Sequence, residues 1–141
     1  MSILTINFDL AYYDEIMILW KTHPGIGLSG ADTRENIGSY LARNPGGSFL
    51  ALVDGKVAGT VLGGHDGRRG FLYHLFVAEE HRGRGLGRVL LDRAVECLER
   101  EGIQKCHVMV FASNEEGKAF WRKAGFHPRG DLEIFSFNLP G

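Results

Sequence analysis

The feature that most constrains the fold of this chain is a glycine-rich segment, residues 81–88, with three glycines at alternate positions. It follows an apolar run over 71–77 and precedes an amphipathic run over 89–98, which predicts a strand, a turn and a helix. Alternate glycines let the backbone turn tightly and leave its N–H groups uncovered by side chains. Because the first N–H groups of a helix have no internal partner, the segment predicts a binding site for an anion, usually a phosphate.

Arginines and known phosphate-binding patterns narrow the identity of this anion. Arg82, Arg84 and Arg88 add positive charge around the turn. The P-loop pattern is not met, since no Lys-Ser or Lys-Thr follows the glycines, and the Gly-x-Gly-x-x-Gly pattern of dinucleotide-binding folds is not met either. The pattern Arg/Gln-x-x-Gly-x-Gly/Ala is met by Arg82, Gly85 and Gly87. In this respect the segment resembles the coenzyme A pyrophosphate loop of the GNAT superfamily of N-acetyltransferases.

Two more segments resemble GNAT motifs in the family's order, so the resemblance covers nearly the whole chain. Residues 75–77 are similar to the strand that pairs with the pantetheine arm, and residues 114–126 to a later motif of Asn, helix and Gly-Phe. Three short segments look like those of the YpeA-type bacterial acetyltransferases. They are a turn over residues 65–70 and the residue pairs at 44–45 and 120–121.

The resemblance implies an acetyl-CoA-dependent N-acetyltransferase that acetylates a primary amine of a small molecule or protein, by direct attack in a ternary complex. A regulatory module that binds CoA or acyl-CoA without turnover is the alternative. Trp121 favours this alternative, because many GNAT members carry there a Tyr that protonates the leaving sulfur, and an indole N–H cannot do so. The residues expected to contact the coenzyme are Leu75, Phe76, Val77, Arg82, Gly83, Arg84, Gly85, Leu86, Gly87, Arg88, Asn114 and Trp121.

Several residues are candidates for the base that deprotonates the amine. Tyr73 and His74 lie on the strand before the loop, where several GNAT members carry a Glu or His. Strand alternation predicts that these two side chains point to opposite faces, so that only one faces the cleft. His65 and Glu79 are further candidates, and proton transfer through water without a single base is an equal alternative.

The order of the elements predicts a mixed α/β sheet with hairpins, in one domain over residues 1–141. The resemblance implies the GNAT fold, a central, mostly antiparallel sheet flanked by four helices. It also implies that the strand before the loop splays from the next strand and admits the pantetheine arm. Strands are expected at 2–8, 48–53, 56–64, 71–77, 104–111 and 132–139, and helices at 10–21, at 33–43 with Asp32 as N-cap, at 85–100 and at 114–124.

Charge and residue composition bear on the partners, the metal sites and the cellular compartment to be expected for the chain. A net charge of -1 over 141 residues gives no argument for nucleic acid or an anionic membrane as a partner. The histidines form no His-x-x-x-His pattern and the cysteines no Cys-x-x-Cys pattern, so no metal site is expected. Cys97 and Cys106 lie in apolar segments and are expected to be reduced, buried thiols, which predicts a cytoplasmic protein, as does the lack of a signal-peptide pattern. The resemblance allows a homodimer.

Overall fold

A five-stranded sheet forms the centre of the first part of the chain. The computed structural model describes residues 1–140, which fall into two compact units, Met1–Met109 and the part from Val110 onward. The strands are β1 (Ile3–Asn7), β2 (Phe49–Val53), β3 (Lys56–His65), β4 (Gly70–Val77) and β5 (Cys106–Val108), and the helices are α1 (Tyr13–Trp20), α2 (Arg34–Arg43), α3 (Leu86–Arg100) and α4 (Glu115–Lys123).

The strands follow one another across the sheet in the order β1-β2-β3-β4-β5. The first four pair antiparallel, with α1 and α2 between β1 and β2 in the chain and hairpins joining β2, β3 and β4. Strand β5 runs parallel to β4 after the crossover through α3. The mixed sheet and the four helices confirm the predicted fold class.

Helices α1 and α2 pack on one face of the sheet. Ile16 and Trp20 of α1 and Ile37 of α2 are buried in one apolar cluster with Phe76 of β4 and several residues of β2 and β3. At 25 cal/mol per Å² of apolar surface, each such side chain contributes on the order of 1.5–3 kcal/mol when fully buried. This cluster therefore fixes both helices against β4.

Helix α3 packs on the opposite face, close against β3. A Cβ atom at Gly59 would lie 2.8 Å from the carbonyl oxygen of Phe76 and 2.9 Å from Leu90 of α3. The next residue, Thr60, instead contacts Trp20 of α1. A side chain at position 59 would therefore collide with the backbone of β4 and with α3, and only glycine fits there.

A β-bulge interrupts β4 at His74. Tyr73 pairs with Leu62 and Phe76 pairs with Thr60, so one residue of β3 lies opposite two residues of β4. The backbone of His74 has a φ of 50°, in the left-handed region that non-glycine residues rarely occupy.

The bulge shifts the side-chain alternation of β4 by one residue. The ring of Tyr73 packs against Tyr40 of α2, and the ring of His74 packs against Trp20 of α1. Both side chains therefore lie on the face covered by α1 and α2. The prediction that they point to opposite faces is wrong, because it assumed an uninterrupted strand.

Helix α2 begins one residue later than predicted. Thr33, and not Asp32, is its N-cap, and the Thr33 side chain accepts a hydrogen bond from the N–H of Asn36. Asp32 instead ends a preceding 3-10 turn, Gly30–Asp32. Asp and Thr are both good N-caps, so their adjacency left the choice to tertiary contacts.

The second unit contains α4. Asn114 is its N-cap, and the Asn114 side chain accepts a hydrogen bond from the N–H of Gly117 at 2.9 Å. Trp121 packs against Phe120 and Phe126, with ring centroids 5.2 Å and 4.8 Å apart. These aromatic contacts stabilise the helix against the turn that follows it.

The predicted strand over 132–139 is not formed in the part of the chain that the structure describes. The large apolar side chains of this segment are exposed, among them Phe135 and Phe137. Alternation of apolar and polar residues favours a strand only where a sheet edge is available to pair with it, and the sequence pattern does not supply that edge.

Candidate active site

The glycine loop between β4 and α3 has a backbone shape that requires glycine. Gly83 and Gly85 have φ values of 78° and 80°, in a region that costs other residues about 1–2 kcal/mol. A Cβ atom at either position would meet no heavy atom within 4 Å, so conformation and not crowding requires glycine here. Gly85 immediately precedes the first helical residue, Leu86, and offers no side chain to cap the helix.

Backbone N–H groups at the start of α3 lack acceptors. The amides of residues 83–88 have no hydrogen-bond acceptor among residues 1–140, and the first amide to bond is that of Val89, which donates to the carbonyl of Gly85 at 3.1 Å. No acidic residue lies in the first turn, and the helix dipole adds partial positive charge there. The loop therefore fits an anion with several oxygen acceptors, such as a diphosphate.

The arginines of the loop have different surroundings. The Nε of Arg82 donates to the carbonyl of Val77 at 3.1 Å, which ties the loop to the end of β4. Arg88 forms an exposed ion pair with Asp92 one helical turn away, at 2.9 Å. The amides and the three arginines therefore all contribute positive charge around the loop.

Strand β4 loses its β5 partner partway along its length. The two strands pair only over residues 70–72, where Leu72 lies opposite Val108. Residues 73–77 pair with β3 on one side and have no strand partner on the other among residues 1–140. The predicted coenzyme contacts at 75–77 lie on this stretch, whose open edge can add an extended ligand through backbone hydrogen bonds.

His74 meets a carboxylate just beyond the last β4–β5 pair. Its Nε2 lies 2.8 Å from Oδ1 of Asp32, and these side chains are only 13% and 8% exposed. The carbonyl of His74 accepts a hydrogen bond from the hydroxyl of Thr60 at 2.8 Å, and its ring meets Trp20 edge-on at 4.7 Å. Contacts to both the backbone and the ring of His74 therefore hold this residue in place.

Tyr73 lies among aromatic rings. Its ring centroid is 6.2 Å from that of Tyr40 and 6.4 Å from that of Phe71. Burial raises the pKa of the Tyr73 phenol, which disfavours the phenolate that a base would need. Of the two residues predicted to be catalytic, His74 is therefore better suited to accept a proton.

The other candidate bases and the two predicted coenzyme contacts of the later motif lie on elements other than β4. His65 lies opposite the first residue of β4, at the strand end remote from the glycine loop, and its Nε2 is 3.7 Å from Glu101. Glu79 is exposed in the short 3-10 turn that precedes the loop. Asn114 and Trp121 belong to the second unit of the chain.

Asp32 is the residue at this site that sequence reasoning missed as a functional candidate. It was predicted as a helix cap, which is the commonest role of an Asp before an amphipathic run. Its partner His74 is 42 positions away, and no short motif connects the two. A single sequence carries no signal for such a pair.

Three further properties concern the whole described range. No group of three or more His, Cys, Asp or Glu side chains that could hold a metal ion occurs among residues 1–140. In the same range, none of the helices is long and apolar enough to cross a bilayer. Cys97 and Cys106 are free thiols.

The mixed sheet, the open edge of β4 and the glycine loop at a helix N-terminus agree with the fold expected of an acyltransferase. A family model described as "Acetyltransferase (GNAT) family" matches residues 13–126, and the chain belongs to this family of acetyltransferases. The chain is 34% identical over 128 residues to the acetyltransferase plu1384 of Photorhabdus laumondii, covering 90% of this chain and 89% of that one. It is 31% identical over 122 residues to an acetyltransferase of Yersinia pestis, with 86% of each chain covered.

Solved structures share the fold at low sequence identity. The PaiA N-acetyltransferase of Thermoplasma acidophilum, crystallised in complex with coenzyme A, superposes with a TM-score of 0.76 at 21% identity. The alignment covers 90% of this chain and 91% of that chain. This similarity establishes the fold of the chain.

Proposed function

We propose that the protein is an acetyl-CoA-dependent N-acetyltransferase that acetylates a primary amine of a small molecule or a protein. The observation that carries the proposal is the loop at residues 83–88, whose amides lack acceptors and which follows the unpaired edge of β4 after one short 3-10 turn. The complex of PaiA with coenzyme A supports the same kind of ligand for this chain.

The loop and the strand edge are the proposed contacts of the coenzyme. The amides of 83–88 donate to the pyrophosphate, with the guanidinium groups of Arg82 and Arg84 nearby, and the backbone of 75–77 pairs with the pantetheine arm. For Asn114 and Trp121, which lie in the second unit, a contact with the coenzyme stays a prediction from the sequence. When bound, acetyl-CoA supplies an acyl thioester that is already activated, so the chain has only to bind, orient and deprotonate the amine.

The placement of the two cysteines supports direct attack by the amine. Cys106 lies opposite Gly70, at the β4 end remote from the loop, and burial raises the pKa of its thiol. The thiol of Cys97 donates to the carbonyl of Gly46 at 3.2 Å. Neither sulfur is available as a nucleophile near the open edge of β4. Unpaired thiols also support the cytoplasm as the compartment in which the enzyme acts.

Isothermal titration with acetyl-CoA tests the first half of the proposal. The expected result is binding with a dissociation constant below about 1 mM, which corresponds to roughly -4 kcal/mol. Dephospho-CoA and pantetheine serve as matched probes, and pantetheine is expected to bind much more weakly because it lacks the pyrophosphate. Equal affinities for pantetheine and acetyl-CoA would contradict the assignment of the loop.

Release of free thiol from acetyl-CoA, measured with a panel of primary amines, tests the second half. Thiol release that depends on an amine supports transfer by direct attack. Tight binding without release from any amine would instead support the regulatory module that binds acyl-CoA without turnover. Trp121 is the observation that favours this second candidate, because indole cannot protonate a leaving thiolate.

A further inference from the structure

Asp32 is held by three hydrogen bonds, two to its carboxylate and one to its backbone carbonyl. One oxygen, Oδ2, accepts a hydrogen bond from the N–H of Ser29 at 3.0 Å, and the other, Oδ1, lies 2.8 Å from His74 Nε2. The backbone carbonyl of Asp32 accepts a hydrogen bond from the hydroxyl of Tyr13 at 2.6 Å. Asp32 is 7% exposed, and a buried carboxylate without such partners would be costly. Its orientation is therefore set before any ligand binds.

The backbone of His74 is held in a conformation that is unfavourable in isolation. A φ of 50° costs a non-glycine residue on the order of 1–3 kcal/mol and persists only where surrounding contacts impose it. Those contacts are the hydrogen bond from Thr60 to the His74 carbonyl and the ring contact with Trp20. Without the bulge, the alternation of β4 would turn His74 away from Asp32. Residues in such strained conformations cluster at functional sites.

The hydrogen bond to Asp32 also assigns the tautomer of the imidazole. A carboxylate only accepts, so Nε2 must carry the proton of the hydrogen bond, and Nδ1 of the neutral ring is then the basic nitrogen. Nδ1 has no hydrogen-bond partner among residues 1–140, and it is not among the fully buried polar atoms that lack one. One nitrogen is thus anchored, while the other keeps access to a ligand.

We propose that His74 and Asp32 form a catalytic dyad, with Nδ1 of His74 as the base and Asp32 as its positioning residue. This inference rests on the proposed function. An N–H bond of the acceptor ammonium breaks, its proton forms the Nδ1–H bond, and the electron pair stays on the amine nitrogen for attack. The resulting imidazolium is stabilised by the Asp32 carboxylate 2.8 Å away, and its proton then passes to solvent.

The position of the dyad agrees with this role. His74 follows the last β4–β5 pair by two residues, so it lies at the start of the open edge that the proposal assigns to the acyl-bearing arm. Asp32 reaches it from the segment between α1 and α2, which belongs to the same unit of the chain. A proton acceptor at this place is within the stretch where amine and thioester must meet.

Nuclear magnetic resonance on the ligand-free protein tests the dyad without any substitution. Labelled with ¹⁵N at histidine, the wild-type protein is expected to show His74 as the tautomer protonated at Nε2, with the proton in a strong hydrogen bond. The Asp32→Asn variant is expected to lose this signature. A His74 ring protonated at Nδ1, or an unchanged spectrum in Asp32→Asn, would overturn the proposal whether or not the protein turns over an amine.

Kinetics with the fastest amine of the panel test the roles of the two residues. His74→Gln removes the base and is expected to lower kcat about 100-fold or more while the KM for acetyl-CoA changes little. Asp32→Asn keeps the shape but not the charge, and is expected to lower kcat at least about tenfold. The double variant is expected to be no slower than His74→Gln alone, because a positioning residue acts only through its partner.

His107→Gln is the control, since the ring of His107 also packs on a residue of β4, Phe71, but near the strand end remote from the glycine loop. It is expected to keep wild-type turnover. Full turnover by His74→Gln, or additive losses in the double variant, would overturn the dyad and leave the N-acetyltransferase assignment intact. Absence of turnover in the wild-type protein would instead overturn the proposed function.

Discussion

Trp20 and Thr60 share a hydrogen bond in the core, in which the indole Nε1 donates to the Thr60 hydroxyl oxygen at 2.9 Å. Both residues are fully buried. The same hydroxyl donates to the carbonyl of His74 at 2.8 Å, so a continuous chain of hydrogen bonds joins α1, β3 and the bulge of β4. The bulge that turns His74 toward Asp32 is therefore stabilised from the helix layer, through the hydroxyl of Thr60.

Thr60→Val tests this chain of hydrogen bonds. Valine has nearly the shape of threonine, but it leaves the indole N–H and the His74 carbonyl buried without partners, at about 1–3 kcal/mol each. The free energy of unfolding in urea is expected to fall by roughly 2–5 kcal/mol. Thr60→Ser keeps the hydroxyl and is expected to lose only about 1 kcal/mol. Equal losses for the two variants would show that packing, and not hydrogen bonding, matters here.

Gly85→Val tests the glycine loop, and Gly102→Val is its matched control at the other end of α3. The two glycines have nearly the same φ, 80° and 79°, and neither Cβ would meet an atom within 4 Å. Both variants are therefore expected to lose a similar free energy of unfolding, about 1–3 kcal/mol. Only Gly85→Val is expected to weaken acetyl-CoA binding, by at least about tenfold, since its side chain lies over the free amides.

Isothermal titration and urea unfolding measure the two effects separately. If Gly102→Val weakened acetyl-CoA binding as strongly as Gly85→Val, the loss would reflect general destabilisation. If neither variant changed the affinity, the coenzyme would not contact the loop.

The features that depend on one or two neighbouring residues could be predicted from the sequence. Asp54 and Gly55 form the turn between the strands predicted at 48–53 and 56–64, with φ values of 51° and 81°. The side chains of Asp9 and Asn114 accept hydrogen bonds from the N–H groups of the helical turns that follow them. Residue type decides such features locally, because it fixes the backbone conformation or supplies the capping oxygen.

The features that join distant parts of the chain could not be predicted. The pairing of Asp32 with His74 depends on a bulge that no residue type in β4 signals. Likewise, the alternation over 132–139 predicted a strand, although strand formation depends on a free edge elsewhere. The sequence thus predicted the glycine loop of the candidate site and named His74 as a candidate base. It missed the contact of His74 with Asp32, which arises from packing.

Tyr40→Phe is expected to change the alkaline stability of the protein. The Tyr40 hydroxyl is buried without a hydrogen-bond partner among residues 1–140, and burial, with a smaller contribution from Tyr73, raises its pKa well above the usual value of 10.0. The folded protein therefore keeps this proton at pH values where the unfolded chain loses it. Its contribution to stability is fully present below pH 10.0 and falls above it, by about 1.4 kcal/mol per pH unit.

Urea unfolding of the wild-type protein and Tyr40→Phe on both sides of pH 10.0 measures this contribution. The variant is expected to show a shallower decline above that pH and to be at least as stable below it, because phenylalanine buries no unpaired hydroxyl. Tyr12→Phe, which leaves Tyr40 in place, is the control and is expected to keep the full decline. An identical decline in wild type and Tyr40→Phe would assign the alkaline loss to other groups.

Trp121→Phe tests whether the indole takes part in the reaction. Phenylalanine keeps an aromatic ring against Phe120 and Phe126, and the indole N–H is not acidic enough to protonate a thiolate. The kcat is therefore expected to stay within about threefold of wild type, and a rise in KM for acetyl-CoA alone would indicate a contact with the coenzyme. Phe120→Leu changes the packing of the same helix and is the control for indirect effects.

Trp121→Tyr tests whether the leaving thiolate needs an acid, because it adds the hydroxyl that many GNAT members carry at this position. If protonation of the leaving thiolate limits the rate, this variant is expected to raise kcat, and its advantage over Trp121→Phe should grow as the pH rises. Equal rates in the two variants would mean that the thiolate leaves unaided. A large loss of kcat in Trp121→Phe, with normal folding and normal coenzyme binding, would contradict a packing role and assign the indole to the transition state.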